Sequence, residues 1–401
     1  MRKSLFGYGK TTKAIARNVK FNGGWDIYDD KFIEISKDNL GNNLLPVSEF
    51  NPLKSTLEIP SPGFPRNHEL VKKAKNLISE YDYFKDTPPV KIWISGTNGK
   101  TTTTQMAGLV LKNNGAVIGG NVGEPLANLN ELAKFWILET SSFTIYYTKF
   151  AAPRIYALLP ITPDHISWHG SFEEYEKTKL KPLSMMGEGS VAIIPKKYDG
   201  IKSKAKIYFY EDESDLAKIC GANLKDVNFK VPFLMDALLA LCIEKFATNS
   251  LNLNLLNTFK IDKNRVEEFK DSKNRLWVND TKATNLDAVI QALKRYSDKK
   301  IHLILGGDDK GVDLTPLYKN FEGYNLEIYA IGSNALKILN LALKFNVKAH
   351  KCDFLQDAVK SIDISLRNDE VALLSPACAS LDQFSSYEER GNLFKKFVQE
   401  L

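Results

Sequence analysis

Ile92-Trp93-Ile94-Ser95-Gly96-Thr97-Asn98-Gly99-Lys100-Thr101-Thr102 decides how the rest of this chain is read. A short apolar strand enters a glycine-rich turn, and a helix-like stretch follows to about Lys112. Glycines let backbone N–H groups point inward at a polyphosphate, and the helix behind them presents its positive end. In such a cradle Lys100 reaches the β- and γ-phosphates and the Thr101 hydroxyl sits on Mg²⁺. Gly96, Thr97, Asn98, Gly99 and Thr102 complete the expected ATP- or GTP-binding loop. The loop is the compact form, because Ile94 stands where the longer pattern has its first glycine. A second Gly-Lys-Thr, at residues 9–11, has Ser4 in that place and reads as an ordinary strand–turn–helix corner.

Composition bounds the rest. A length of 401 residues predicts two or three domains. Hydrophobic residues make up 43% and charged residues 25%, as in soluble globular chains. The net charge of +6 comes from 54 basic and 48 acidic residues, with no Lys/Arg block of the kind that marks a nucleic-acid tail. Cys220, Cys242, Cys352 and Cys378 are far apart in sequence and form no Cys/His motif, so free thiols in a reducing compartment are expected. The first residues contain no apolar signal core, and no run approaches a membrane span. These readings predict a cytoplasmic protein with no nucleic-acid partner and no membrane span.

Residues 1–87 read as a small α/β unit. Ser4-Leu5-Phe6 is a strand, Gly7-Tyr8-Gly9 a tight turn and Thr12–Val19 a helix, with a second strand over Trp25–Asp29. Thr12 occupies the third-glycine position of a dinucleotide fingerprint, so full NAD binding is not expected. Thr87-Pro88-Pro89 reads as a linker. Beyond it, strand-like runs at Val90–Ile94, Ala116–Gly119, Phe135–Leu138, Ile155–Leu159 and Val191–Ile194 alternate with helical segments. That alternation predicts a mostly parallel sheet covered by helices on both faces. Phe233–Phe246 reads as an amphipathic helix, and a second boundary falls near Ile261–Lys263. Further strands are expected at Trp277–Asp280, Ile301–Leu305, Glu327–Ile331 and Glu370–Leu374.

A phosphate loop alone fits a kinase, a GTPase or a ligase. Four other constellations narrow the choice. Leu138-Glu139-Thr140-Ser141-Ser142-Phe143 is a strand ending in a carboxylate, and Thr162-Pro163-Asp164-His165 is a polar turn; both offer groups for Mg²⁺. Asn279-Asp280-Thr281-Lys282-Ala283-Thr284-Asn285 is a dense polar run after a strand. Ser375-Pro376-Ala377-Cys378-Ala379-Ser380-Leu381-Asp382-Gln383-Phe384 is rich in small residues that admit a ligand close to the backbone.

Taken in order, with Gly306-Gly307-Asp308 and Lys310 between the last two, these motifs resemble the Mur ligases. These are the ATP-dependent amide-forming enzymes of peptidoglycan precursor synthesis. The resemblance covers essentially the whole chain, and its last runs look most like the branch that adds D-glutamate. It implies an α/β protein of three domains. Residues 1–87 would form a truncated Rossmann-like domain for the UDP substrate. Residues 88–262 would form a central P-loop ATPase domain with a mostly parallel sheet, and 263–401 a C-terminal Rossmann-like domain for the amino acid. A monomer is expected, acting on UDP-N-acetylmuramoyl-L-alanine and D-glutamate.

The resemblance also implies roles. Lys100, His165 and Lys179 would be catalytic, and ATP would meet the loop together with Arg265, Asp280 and Lys282. Thr101, Glu139, His165 and Lys179 would hold two Mg²⁺ ions, Lys179 as a carbamate. Asp29, Asp30, Ser61 and Gly63 would receive the UDP end, and Asn121 and His165 the muramoyl-alanine. Thr284, Lys310, Ser380, Leu381 and Tyr387 would receive D-glutamate. Without the resemblance, Lys179 reads as a helix-surface lysine. Phe233 and Asp236 stand where the family usually carries asparagines that touch the nucleotide; Phe233 cannot supply those hydrogen bonds, and Asp236 adds negative charge.

Overall fold

Strand order explains where the functional loops gather. The computed structural model describes residues 2–18 and 24–401. The last residue of the helix expected over Thr12–Val19 lies outside the described residues. The first sheet holds β1 (Arg2–Phe6), β2 (Asp26–Tyr28), β3 (Ser36–Lys37), β4 (Asn43–Leu45) and β5 (Ser55–Pro60) in the order β3-β4-β2-β1-β5. All its pairings are parallel except β3 with β4. Helix α1 (Lys10–Arg17) follows the glycine turn and buries Thr12, Ala14 and Ile15. The Thr12 hydroxyl donates to the Gly7 carbonyl at 2.7 Å. A side chain closing the turn therefore occupies the position where a dinucleotide fold keeps a glycine.

Helix α2 (Glu80–Tyr83) starts from a reciprocal capping box between Ser79 and Asp82 and leads into the second sheet. That sheet is wholly parallel: β6 (Val90–Ser95), β7 (Ala116–Gly120), β8 (Phe135–Glu139), β9 (Ile155–Leu158), β10 (Val191–Pro195) and β11 (Lys206–Tyr210). Its order is β11-β10-β9-β6-β8-β7. The chain steps from β6 to one side for β7 and β8, then to the other for β9 to β11. That reversal places the end of β6 at the switch point where open α/β sheets bind ligands. Helices α3 (Lys100–Val110), α4 (Ser142–Tyr147), α5 (Phe172–Met185), α6 (Glu213–Cys220) and α7 (Phe233–Thr248) accompany it.

Helix α7 corrects the amphipathic reading of Phe233–Phe246. Every residue from Asp236 to Glu244 is buried, polar ends included. The helix packs along α3 and α6, and a helix covered on most of its circumference carries no polar face. Leu5, Ile27 and Ile59 of the first sheet share one apolar core with Trp93, Trp136 and Tyr156 of the second. Each such large side chain contributes roughly 1.5–3 kcal/mol on burial. Met1–Phe229 and Phe233–Phe259 accordingly form one compact unit, and Lys230–Pro232 with Lys260–Leu401 another.

The second unit carries the third sheet: β12 (Glu267–Lys270), β13 (Leu276–Asn279), β14 (Ile301–Gly306), β15 (Leu326–Ile331), β16 (Ala349–Asp353) and β17 (Val371–Leu374). The order is β12-β13-β17-β14-β15-β16, antiparallel only at β12. Helices α8 (Leu286–Arg295) and α9 (Tyr387–Gln399) belong to this unit. Because β17 lies between β13 and β14, the loops after Asn279, Gly306 and Leu374 emerge side by side.

Candidate functional site

The loop after β6 is built around glycines that only glycine can supply. Gly96 has φ 137° and Gly99 has φ 81°. A Cβ on Gly96 would run into Leu159, and one on Gly99 into the Asp236 carboxylate. Gly99 caps α3, so Lys100 and Thr101 open that helix beside its unpaired N–H groups. The Lys100 ammonium donates to the carbonyls of Thr97 (2.6 Å) and Gly96 (3.1 Å). Thr97 is tied to the turn after β9: its hydroxyl accepts from the Thr162 amide and donates to the Thr162 carbonyl. Asp236, on the first turn of α7, accepts from the Thr103 hydroxyl at 3.0 Å and so braces the loop from behind.

Neighbouring strand ends bring in the charged groups. Glu139, at the end of β8, is 2% exposed. One of its oxygens accepts from the Thr101 hydroxyl (2.8 Å) and the other from the Asn121 amide (2.7 Å). Asn121 follows β7, and its backbone N–H donates to the Glu139 carbonyl. Three residues scattered between 101 and 139 thus become one cluster. Among the described residues no group of three His, Cys, Asp or Glu side chains could hold a metal ion. One carboxylate and a threonine hydroxyl beside a phosphate loop suit Mg²⁺, which completes its shell with phosphate and water oxygens.

Lys179 overturns the surface reading drawn from its sequence alone. It lies on the inner face of α5 and is 1% exposed. Its ammonium donates to the Ser95 hydroxyl at 3.2 Å and stands 5.0 Å over the Tyr175 ring. Burial pushes the amine pKa well below the ordinary lysine value; the Lys100 charge adds to this, while Asp164 and Glu139 act against it.

His165 begins the short helix Ile166–His169 with φ 53°. Its half-exposed ring lies 3.6 Å from the Asp164 carboxylate and packs on Phe143. His169, which the sequence reading did not single out, is the buried one. Its Nε2 pairs with the Ser142 hydroxyl at 3.0 Å, and its Nδ1 has no hydrogen-bond partner. Burial, then the charges of His165, Lys179 and Arg66, lower its pKa to about 4, so the ring is neutral at neutral pH. A His-x-x-x-His spacing was the available sequence signal.

In the first sheet, Asp29 is committed to the fold. It accepts from the Tyr8 amide at 2.7 Å and from the Lys31 amide at 3.0 Å. Asp30 pairs with His68 at 3.2 Å. Ser61 donates its backbone N–H to Phe6 and accepts from Phe64, while Gly63 faces open space. These residues share the strand ends that flank β1.

The second unit holds the remaining candidates. Asp280 is buried; its oxygens accept from the Ser375 hydroxyl (2.8 Å) and the Val266 amide (3.1 Å). Burial raises its pKa to about 7 against the pull of Ser375, Val266 and the Arg265 charge. Arg265 lies between Asn264 and Val266, both in the left-handed region, and its Nε is buried without a partner. The Lys282 ammonium lies 5.4 Å over the Tyr387 ring. Thr284, Lys310 and Leu381 are exposed, whereas Ser380 is 3% exposed. Arg390, absent from the sequence reading, is wholly buried behind these loops.

Fold and site define a multidomain α/β protein with a glycine-rich strand–loop–helix at the switch point of its central sheet, and its relatives place it among the ligases. Residues 94–255 match the Mur ligase middle domain. The chain is 60% identical to the UDP-N-acetylmuramoylalanine–D-glutamate ligase of Campylobacter jejuni (serotype O:23/36, strain 81-176), over 100% of both chains. It is 47% identical to the Helicobacter pylori enzyme of the same name (strain 26695), over 99% of each. In structure it is similar to MurF ligase from Thermotoga maritima in complex with ADP, with a TM-score of 0.61 at 14% identity, covering 99% of this chain and 96% of that one. The MurC ligase of the same organism gives a TM-score of 0.56 over 99% of each chain. The chain belongs to the UDP-N-acetylmuramoylalanine–D-glutamate ligases of the Mur family.

Proposed function

We propose that this ligase joins D-glutamate to UDP-N-acetylmuramoyl-L-alanine at the expense of ATP, in the cytoplasm and as a monomer. The observation that carries the reading is the meeting of Thr101, Asn121 and Glu139 beside the Lys100 loop at adjacent strand ends, with Lys179 reaching from α5 to Ser95 at the end of β6. Full-length identity to enzymes of that name supports the choice of substrates. No helix among the described residues is long and apolar enough to cross a membrane. Residues 1–87, 88–262 and 263–401 are assigned to the UDP substrate, ATP and the amino acid.

A carboxylate does not condense with an amine in neutral water, because hydroxide or oxide is a poor leaving group. The L-alanine carboxylate therefore attacks the γ-phosphorus of ATP, giving an acyl phosphate and ADP. The neutral D-glutamate amine then attacks the acyl carbon, inorganic phosphate leaves with the C–O bond pair, and the proton lost from nitrogen passes to phosphate or solvent. The first step crowds anionic oxygens together. Lys100 and the N–H groups opening α3 offset that charge. Asn121 and His165 orient the muramoyl-alanine. Thr101, Glu139, His165 and Lys179 would hold two Mg²⁺ ions, which supply further charge neutralisation when bound. Lys179 joins that set as a carbamate: its neutral amine forms an N–C bond to CO₂ and releases one proton. Its depressed pKa raises the neutral fraction that this step requires. Arg265, Asp280 and Lys282 are assigned to the nucleotide. Asp29, Asp30, Ser61 and Gly63 are assigned to the UDP end, and Thr284, Lys310, Ser380, Leu381 and Tyr387 to D-glutamate.

The test is phosphate release with ATP, Mg²⁺ and UDP-N-acetylmuramoyl-L-alanine, adding D-glutamate, L-glutamate, L-lysine or nothing. Release confined to D-glutamate, with the matching product mass, is expected. Release with another acceptor, or with none, overturns the substrate assignment.

A further inference from the structure

Arg390 sits in the first turn of α9 with 0% exposure, yet no carboxylate lies within ion-pair distance of it among the described residues. A buried cation that is not paired must be held by other acceptors, or it would destabilise the fold heavily. Its Nε donates to the Thr281 hydroxyl (2.9 Å), and one terminal nitrogen donates to the carbonyls of Thr281 (2.9 Å) and Cys378 (3.1 Å). The other donates to the Ala379 carbonyl at 3.4 Å. One guanidinium thus joins two segments nearly one hundred residues apart, the run after β13 and the run after β17.

The second of these runs needs restraint. Ala377 has φ 58°, a left-handed conformation that an alanine rarely adopts. Such a residue persists only where its surroundings over-determine it. Gly306 donates to the Pro376 carbonyl at 3.0 Å, Asp308 and Ala379 exchange a pair of backbone hydrogen bonds, and the Asn334 amide meets the Cys378 sulfur. Arg390 adds its contacts to the Cys378 and Ala379 carbonyls. Ser380 follows directly, and Thr284 lies three residues beyond Thr281.

We propose that Arg390 is the positioning residue of the amino-acid acceptor site, locking the 281–284 and 378–380 segments in register through four hydrogen bonds. The inference rests on the reading of Thr284 and Ser380 as acceptor-binding. Lysine cannot replace the planar fork, since one ammonium does not reach four acceptors in that plane.

The test compares wild type, Arg390→Lys and Thr281→Val in the full-length protein, measuring KM for D-glutamate, for ATP and for the UDP-sugar. The wild-type acceptor panel is run first. If another amine proves to be the substrate, the substrate reading fails and the comparison is made on that amine's KM. Arg390→Lys is expected to raise the acceptor KM at least tenfold while the other two change less than threefold. Thr281→Val, which removes one of the four contacts, is expected to shift the same ratio in the same direction by a smaller factor. A merely structural role would lower the melting temperature and the active fraction without altering the ratio of KM values. An unchanged acceptor KM, or equal changes in all three, overturns the proposal. If the lysine variant does not fold, Thr281→Val decides by the same ratio.

Discussion

Replacing Asp280 by asparagine separates what this site does for function from what it costs the fold. The carboxyl is 6% exposed, and burial raises its pKa from 3.8 to about 7. A rise of that size corresponds to about 4 kcal/mol of destabilisation once the group is ionised. The unfolded chain loses this proton near pH 4 and the folded chain near pH 7. Within that window the folded state binds the extra proton, so stability falls as pH rises and levels off above about 7. Asparagine has the same shape and no charge. Its oxygen accepts from Val266 as before, and its amide donates to Ser375 once that hydroxyl rotates. Asp280→Asn is therefore expected to be more stable than wild type, with an advantage that grows by about 3 kcal/mol between pH 5 and pH 8. It is also expected to release phosphate more slowly, the usual exchange of stability for function at a charged site. Urea denaturation at the two pH values measures the difference, and hydrogen exchange at β13 and β17 reads the unit that carries it. A variant no more stable than wild type at pH 8, or an advantage independent of pH, would refute the reasoning.

Lys100→Ala is expected to lower turnover by at least about 10²–10³-fold, the usual cost of one electrostatic donor, while leaving the melting temperature near wild type. Substantial residual turnover in the purified variant would remove the phosphate-cradle role. Lys179→Ala is expected to inactivate the enzyme and to regain part of its activity with acetate or another short carboxylate; full activity without rescue would discard the carbamate. Gly99→Ala places a Cβ against Asp236 at φ 81° and should destabilise the protein by at least about 1–2 kcal/mol, with weakened ATP binding. Equal melting temperatures and ATP affinity would contradict that loop geometry.

Much of this molecule follows from local sequence. The runs Ile92–Ile94, Phe135–Leu138 and Leu303–Leu305 are short apolar stretches ended by glycine or polar clusters, the pattern of strands buried on both faces. The compact Gly-Thr-Asn-Gly-Lys-Thr loop is legible because its own glycines supply the positive φ angles, while Thr162 and Asp236 brace it from distant segments. The short or polar edge strands β3, β12 and β16 were not legible, since edge strands carry little apolar signal and are defined by their partners. Nor was the breadth of burial of α7, where the polar Asp236 and Glu244 satisfy themselves inside the fold.

The chemistry itself divides along the same line. Local sequence determined which segments end in glycines, carboxylates and hydroxyls, because turn conformation and strand periodicity are properties of a few consecutive residues. Only the tertiary structure decided which of those ends meet. Lys179 lies four residues after Tyr175 and four before Leu183, a spacing that marks one helix face but not the depth of its burial. Its contact with Ser95, the convergence of Thr101 and Asn121 on Glu139, and the grip of Arg390 on two distant loops all depend on strand order. Strand order is set by packing between segments far apart in the chain, and desolvation by that packing gives Lys179, His169 and Asp280 their altered proton affinities.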